Sequence, residues 1–317
     1  SGAIPSYIDA VFETVSGFTT TGSTILRDVE SLPKGLLFWR SFTNWIGGMG
    51  VLVMMLAVLP TARANTLQIM KAESPGPDPG KLVPRIGQSA KLLYRMYIGL
   101  SLVQVVLLLI GGMPLYDTLI HTFSTAGTGG FSNMNTSVGA YNNLYYEIII
   151  GLFMFLFGIN FTLYYQALNG DIKSIIRDEE FRLYFFVVVG AIVLITCNLW
   201  GPVFGTIWES LRYSSFQVSS IITTTGFSTT NFDVWPAFSK TILIFLMFIG
   251  ACAGSTGGGI KCLRFLLLFK TIKHEVRRII HPRAVYTVKY GGKTVNGDVL
   301  FGVMNYFFII MIVFAVS

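Results

Sequence analysis

Five segments of this chain approach the roughly 20 apolar residues that an α-helix needs to cross a bilayer. They run about 38–60, 92–113, 144–168, 183–200 and 299–317. A sixth, about 240–270, is long enough but interrupted, with Gly250-Ala251-Cys252-Ala253-Gly254-Ser255-Thr256-Gly257-Gly258-Gly259 at its centre. Such a glycine run breaks a helix. Irregular backbone at membrane depth is tolerated only inside protein or beside a water-filled cavity, so the interruption reads as a pore element. Composition points the same way. Charged residues are 12% of the chain, against about 25% in soluble domains, and the mean hydropathy is +0.62. The expected class is an all-α integral membrane protein.

The net charge of +7 could suit nucleic acid, but its distribution excludes that class. Of the 23 basic residues, 18 fall in three connections: 61–95 (Arg63, Lys71, Lys81, Arg85, Lys91, Arg95), 169–182 (Lys173, Arg177, Arg182) and 261–293, from Lys261 to Lys293. Arg27, Lys34, Arg40, Arg212 and Lys240 occupy the alternate connections. By the positive-inside rule the first group is cytoplasmic. The cytoplasmic stretch 74–84 reads as an extended Pro/Gly linker. In 284–295, two β-rich runs flank Gly291-Gly292, a β-hairpin signal and a surface for a soluble partner to grip.

The outer connections carry an internal repeat. A short run Ile8 to Val15 precedes Ser16-Gly17-Phe18-Thr19-Thr20-Thr21-Gly22-Ser23-Thr24. A second, Asp117 to Phe123, precedes Ser124-Thr125-Ala126-Gly127-Thr128-Gly129-Gly130-Phe131-Ser132. A third, Ile207 to Ile222, precedes Thr223-Thr224-Thr225-Gly226-Phe227-Ser228-Thr229. Gly22 and Gly130 are 108 residues apart, Gly130 and Gly226 96. Each run is too short to span a bilayer, so each is expected to enter from outside and turn back. The partially negative C-terminal end of such a half-helix favours a cation. Backbone carbonyls of the loop can replace a hydration shell, and threonine adds hydroxyl oxygens. Oxygen ligands without a carboxylate ring suit a hard monovalent cation.

These strings, with Trp39-Arg40-Ser41-Phe42-Thr43-Asn44-Trp45-Ile46-Gly47-Gly48-Met49-Gly50 and Gly254-Ser255-Thr256-Gly257-Gly258-Gly259-Ile260-Lys261, resemble the Trk/Ktr/HKT superfamily of potassium transporters, most closely its bacterial TrkH/KtrB branch. The resemblance covers the whole chain. It implies four helix–pore-loop–helix units around a central pore, potassium-channel-like and pseudo-fourfold. It implies a K+ selectivity filter at Thr20, Thr21, Gly22, Thr128, Gly129, Gly130, Thr224, Thr225 and Gly226. It also implies a gate loop of Ala253, Gly254, Ser255, Thr256, Gly257, Gly258 and Gly259 below the filter. The implied setting is a multi-pass protein of the plasma or inner membrane, a homodimer, with a cytosolic nucleotide-binding ring of the TrkA/KtrA kind. Potassium is the transported substrate, and no organic cofactor, enzymatic activity or nucleic-acid partner is expected.

On this reading residues 1–70 hold the loop and second helix of repeat 1, 71–173 repeat 2, 174–283 repeat 3 with its broken second helix, 284–297 the hairpin, and 298–317 the start of repeat 4. No signal peptide precedes the first loop, and both ends read as cuts through a longer protein. The first helix, the fourth loop and a positive residue that the family places in its last helix are not found here.

Other signals are weaker. Cys197, Cys252 and Cys262 form no CxxC pair, and His121, His274 and His281 are scattered, which argues against a disulfide framework or metal site. Gly254 to Cys262 and Gly292-Lys293-Thr294 are incomplete phosphate-loop motifs. Ser124 and His121 lack the acid and the strand–turn–helix setting of a hydrolase. Glu147 is expected to snorkel to water at the outer end of its span, and Asn160 to hydrogen-bond between helices. Asp9, Glu13, Asp117 and Glu209 suit either cation concentration at the mouth or helix N-termini. Lys261 is expected near the cytoplasmic mouth. The alternative class is the membrane subunit of an ATP-driven potassium pump. A sodium-coupled carrier with broken helices fits three same-side re-entrant loops less well.

Overall fold

The computed structural model describes Ile4 and residues 6–50, 86–281 and 287–316. The second half of the 38–60 span, Arg63, Lys71, Lys81, Arg85, the linker 74–84 and hairpin residues 284–286 lie outside the described residues.

The helices that precede the three loops are each too short to span a bilayer: α1 (Tyr7–Phe18), α4 (Leu115–Ala126) and α9 (Ile207–Ile222). At about 1.5 Å per residue, the 12-residue α1 and α4 reach about 18 Å, short of a hydrocarbon core of about 30 Å. Ser6 caps α1 by accepting from Asp9 N, and Thr206 caps α9 by accepting from Glu209 N. Asp9, Asp117 and Glu209 each lie in a first helical turn, the placement that complements the helix dipole. Between these run α2 (Lys34–Gly48), α3 (Ile86–Ile110), α5 (Leu144–Phe157), α6 (Phe161–Leu168), α7 (Lys173–Arg177) and α8 (Glu179–Leu199). Then come α10 (Ala237–Ile249), α11 (Cys262–Ile280), the strands β1 (Lys289–Tyr290) and β2 (Lys293–Thr294), and α12 (Gly297–Val316). Among the described residues, three helices, one within α3 and the others α8 and α12, are long and apolar enough to cross a membrane.

The expected interruption of 240–270 is present: α10 stops at Ile249 and α11 starts at Cys262. The expected span 144–168 passes the same length and composition test only as a bent pair. It bends by 92° between α5 and α6. Asn160 caps α6 by accepting from Thr162 N at 2.9 Å, rather than joining two helices. The backbone freed at the bend is satisfied from the other broken segment. Cys252 N donates to Gly158 O (3.0 Å), and Phe161 N donates to Gly254 O (3.0 Å). Two helix breaks therefore complete each other, which is how buried backbone avoids unpaired groups.

The hairpin forms as expected, antiparallel with Tyr290 opposite Lys293. Its turn residues Gly291 and Gly292 have φ of 55° and 79°, as a two-residue turn with two left-handed centres requires. Burial beside Asp178 raises the Tyr290 phenol above its ordinary range, so it stays protonated and donates to Asp178.

Helix α9 lies between two apolar cores. Val218 and Ile222 pack with Tyr184, Ile195 and Leu246, while Phe216 packs with Tyr97, Ile150 and Phe157. Helix α12 instead exposes Phe308, Ile312 and Phe314, an outward face of span composition.

Candidate cation pathway

Each re-entrant helix ends in the same backbone device. Thr20, Thr128 and Thr224 take left-handed φ of 54°, 53° and 58°; two residues later Gly22, Gly130 and Gly226 take 72°, 74° and 88°. A threonine in that region is uncommon and strained, and here it recurs at one position of three loops. The amides between them turn back. Thr21 N donates to Ser16 O (3.0 Å), Gly129 N to Ser124 O (2.9 Å) and Thr225 N to Ser220 O (2.9 Å). With their N–H groups engaged by the helix behind, the loops leave carbonyl oxygens for the opposite face.

The loops are neighbours in order. A methyl added at Gly22 would fall on the Gly129 carbonyl, and one at Gly130 on the Thr225 carbonyl. At Gly226 it would meet nothing within 4 Å among the described residues. All nine expected filter residues except Thr20 and Thr128 line one cavity of ≈ 250 Å³. The Thr128 hydroxyl points instead to Thr256 O of the loop 250–261 (2.9 Å). Among the described residues no group of three His, Cys, Asp or Glu could hold a metal ion. The residues that line the cavity are Thr, Ser and Gly with Ile221 and Met247, none of them charged.

The expected gate-loop residues sit directly under these loops. Gly258 N donates to the Thr224 hydroxyl at 2.7 Å, and Thr256 Oγ1 to Phe157 O at 3.3 Å. Lys261 is buried. It is 4% exposed, has a φ of 79°, and its ammonium donates to Gly257 O of the same loop.

Two acidic residues differ from expectation. Glu147 does not reach water; it is 4% exposed and receives Arg212 through two hydrogen bonds, Nε–Oε2 at 2.6 Å and Nη2–Oε1 at 2.7 Å. Glu13 does not face the mouth; it is buried and accepts from Thr24 Oγ1 (2.5 Å), Ile25 N (2.7 Å) and Arg40 Nε (3.0 Å). A charge taken out of water needs a partner with good geometry, and each of these has an arginine from another helix.

Residues missed from sequence include Arg40, Arg212, Glu180 and the serines Ser16, Ser124 and Ser220. The serines had a readable signal, since each lies six residues before a loop glycine. Ser16 and Ser220 hydroxyls donate to the Ser23 and Phe227 carbonyls, both at 2.6 Å. Asn44 was also missed. In loops one and three the hydroxyls of Thr19 and Thr21, and of Thr223 and Thr225, bond to each other at 2.8 Å. Loop two has Gly127 and Gly129 there, and Asn44 fills the space a side chain on either would need.

Short re-entrant helices, strained loops meeting at one oxygen-lined cavity and membrane-length apolar helices define an all-α membrane protein built of repeated helix–pore-loop–helix units. The sequence matches the family described as TrkH, cation transport protein, over residues 1–317. The chain belongs to that family. It is similar to the Trk system potassium uptake protein TrkH of Salmonella typhimurium, 41% identical over 315 residues, covering 98% of this chain and 65% of that protein. It is likewise similar to the Trk system potassium uptake protein TrkG of Escherichia coli, 40% identical over 306 residues, with coverage of 96% and 63%. The crystal structure of the potassium transporter TrkH from Vibrio parahaemolyticus aligns with a TM-score of 0.85 at 37% identity, over 98% of this chain and 64% of that one. The chain thus spans less than two thirds of the length of these relatives. The family is one of transporters, not of enzymes.

Proposed function

We propose that this chain is the conducting part of a Trk-type potassium uptake protein, passing K+ down its electrochemical gradient. The observation that carries the reading is the threefold left-handed Thr/Gly pair, with the three loops placed side by side around one cavity. Thr20, Thr21, Gly22, Thr128, Gly129, Gly130, Thr224, Thr225 and Gly226 supply the filter, mainly through backbone carbonyls that replace the ion's hydration shell. The repeats divide at 1–70, 71–173 and 174–283, with the hairpin at 284–297 and a fourth unit starting at 298. The fourth loop of the pseudo-fourfold ring would sit between the third and the first, beside the open flank of Gly226. The segment Ala253 to Gly259 closes the path beneath the filter and moves when a cytosolic ring of the TrkA/KtrA kind acts on the helix that follows. The protein works as a homodimer in the cell membrane. The relatives named above, each a potassium uptake protein or transporter, support this reading over the ATP-driven pump.

The test is growth. Full-length protein expressed in a bacterial strain without its own potassium uptake should restore growth at limiting potassium. Protein that reaches the membrane and leaves growth unrestored would overturn the assignment.

A further inference from the structure

Three consecutive acidic residues at the start of α8 join the loop 250–261 to the hairpin. Asp178 caps α8, its Oδ1 accepting from Phe181 N (2.7 Å), and its Oδ2 accepts from the Tyr290 hydroxyl of β1 (3.2 Å). Glu179 pairs with Lys270 of α11, and the same ammonium donates to the Lys289 carbonyl of β1 at 2.6 Å. Glu180 turns inward and is 1% exposed. Its Oε1 accepts from Ala253 N (2.6 Å) and from Leu263 N (3.0 Å). Those two amides lie on either side of the loop, one at its start and one in the first turn of α11. A single carboxylate oxygen therefore holds both of its ends. The other oxygen, Oε2, is buried with no hydrogen-bond partner among the described residues. Apolar packing follows the same route: Ala253, Leu263, Leu267 and Val303 form one cluster, against which Tyr290 and Val295 of the hairpin region pack.

We propose that Glu180 is a positioning residue that latches the loop 253–259 closed, and that Asp178 and Glu179 couple the latch to the hairpin. The proposal rests on the reading of that loop as a gate. Two backbone hydrogen bonds that converge on one buried oxygen favour both ends held or both released, which gives a two-state element. A displacement of β1 or α11 must break the Tyr290–Asp178 or Lys270–Glu179 contact, or carry the first turn of α8 with it. Either outcome changes where Glu180 stands relative to Ala253 and Leu263. A load applied at the hairpin thereby reaches the loop without touching the filter.

The experiment measures rubidium uptake by full-length protein in proteoliposomes, without any cytosolic partner. The variants are Glu180→Ala, Glu180→Gln, Tyr290→Phe, the Glu180→Ala/Tyr290→Phe pair, and a deletion of 253–259. Glu180→Ala should raise uptake on the order of fivefold or more, toward the level of the deletion. Glu180→Gln, which keeps one acceptor oxygen but puts an amide in place of the other, should fall between, and it carries the test if the alanine variant fails to fold. Tyr290→Phe should raise uptake alone but add nothing to Glu180→Ala, because coupled sites are non-additive. If the deletion raises uptake while intact Glu180 variants stay at the wild-type level, the latch is overturned and the gate stands. Additive Tyr290→Phe and Glu180→Ala effects overturn the coupling to the hairpin. If the deletion itself leaves uptake unchanged, the gate falls and the latch with it.

Discussion

Gly130→Ser is expected to abolish discrimination between K+ and Na+ while the protein still folds and reaches the membrane. Gly130 combines two demands that no other residue type meets. Its φ is 74°, where a side chain is strained. Its Cα also faces the neighbouring loop, so that an added Cβ lands on the Thr225 carbonyl. Relief requires one of the two loops to withdraw, and the withdrawn oxygens are the proposed ligands. Selectivity depends on the number and placement of those oxygens. The expected loss in the K+ to Na+ uptake ratio is at least about tenfold, equivalent to about 1.4 kcal/mol of differential stabilisation. Gly170→Ser is the control. Gly170 has a φ of 96° and no atom within 4 Å of an added Cβ among the described residues, so the substitution strains backbone without touching a loop. Unchanged selectivity in Gly130→Ser, measured by competitive flux, would remove Gly130 from the filter.

Deleting 253–259 should produce the second large effect, a rise in partner-independent flux on the order of tenfold. The geometry favours a clean deletion. Ile260 N donates to Phe248 O at 3.1 Å and Cys262 N to Ala251 O at 3.0 Å, both between residues that the deletion leaves in place. The loop is thus closed at its neck, and its removal does not stretch the chain between α10 and α11. What disappears is the layer tied to the Thr128 and Thr224 hydroxyls by Thr256 O and Gly258 N. Those two threonines are the left-handed residues at the base of loops two and three. Their hydroxyls would keep their bonds to the Gly127 and Thr223 carbonyls, at 2.7 and 2.6 Å, and lose only the loop. A deletion protein that is intact yet conducts no more than wild type would show that the loop does not close the path.

Where sequence reading succeeded, local residue chemistry sufficed. The glycine run at 250–259 interrupts an apolar segment, Gly291-Gly292 makes a two-residue turn, and the recurring Thr/Gly strings mark the three loops. It failed where the deciding partner is distant along the chain. Gly158-Ile159-Asn160 offers only a weak break signal, and the bend there is completed by Cys252 and Gly254, more than 90 residues on. Glu147 sits four residues into a helix next to water by sequence, yet Arg212, 65 residues away, holds it inside. Asn44 in place of threonine side chains was equally invisible, because the compensation crosses from α2 to loop two. Glu180 reads as an ordinary acidic first turn beside Asp178 and Glu179, and only the return of the broken helix onto α8 shows that it faces inward.

The most direct measurement of the central claim is rubidium uptake into proteoliposomes containing the full-length protein, with equal concentrations of competing K+ or Na+ and no ATP. Uptake driven by the gradient alone, strongly suppressed by K+ and little affected by Na+, is the predicted result. Equal suppression by both ions, or uptake that appears only when ATP is supplied to an ATPase subunit, would contradict it.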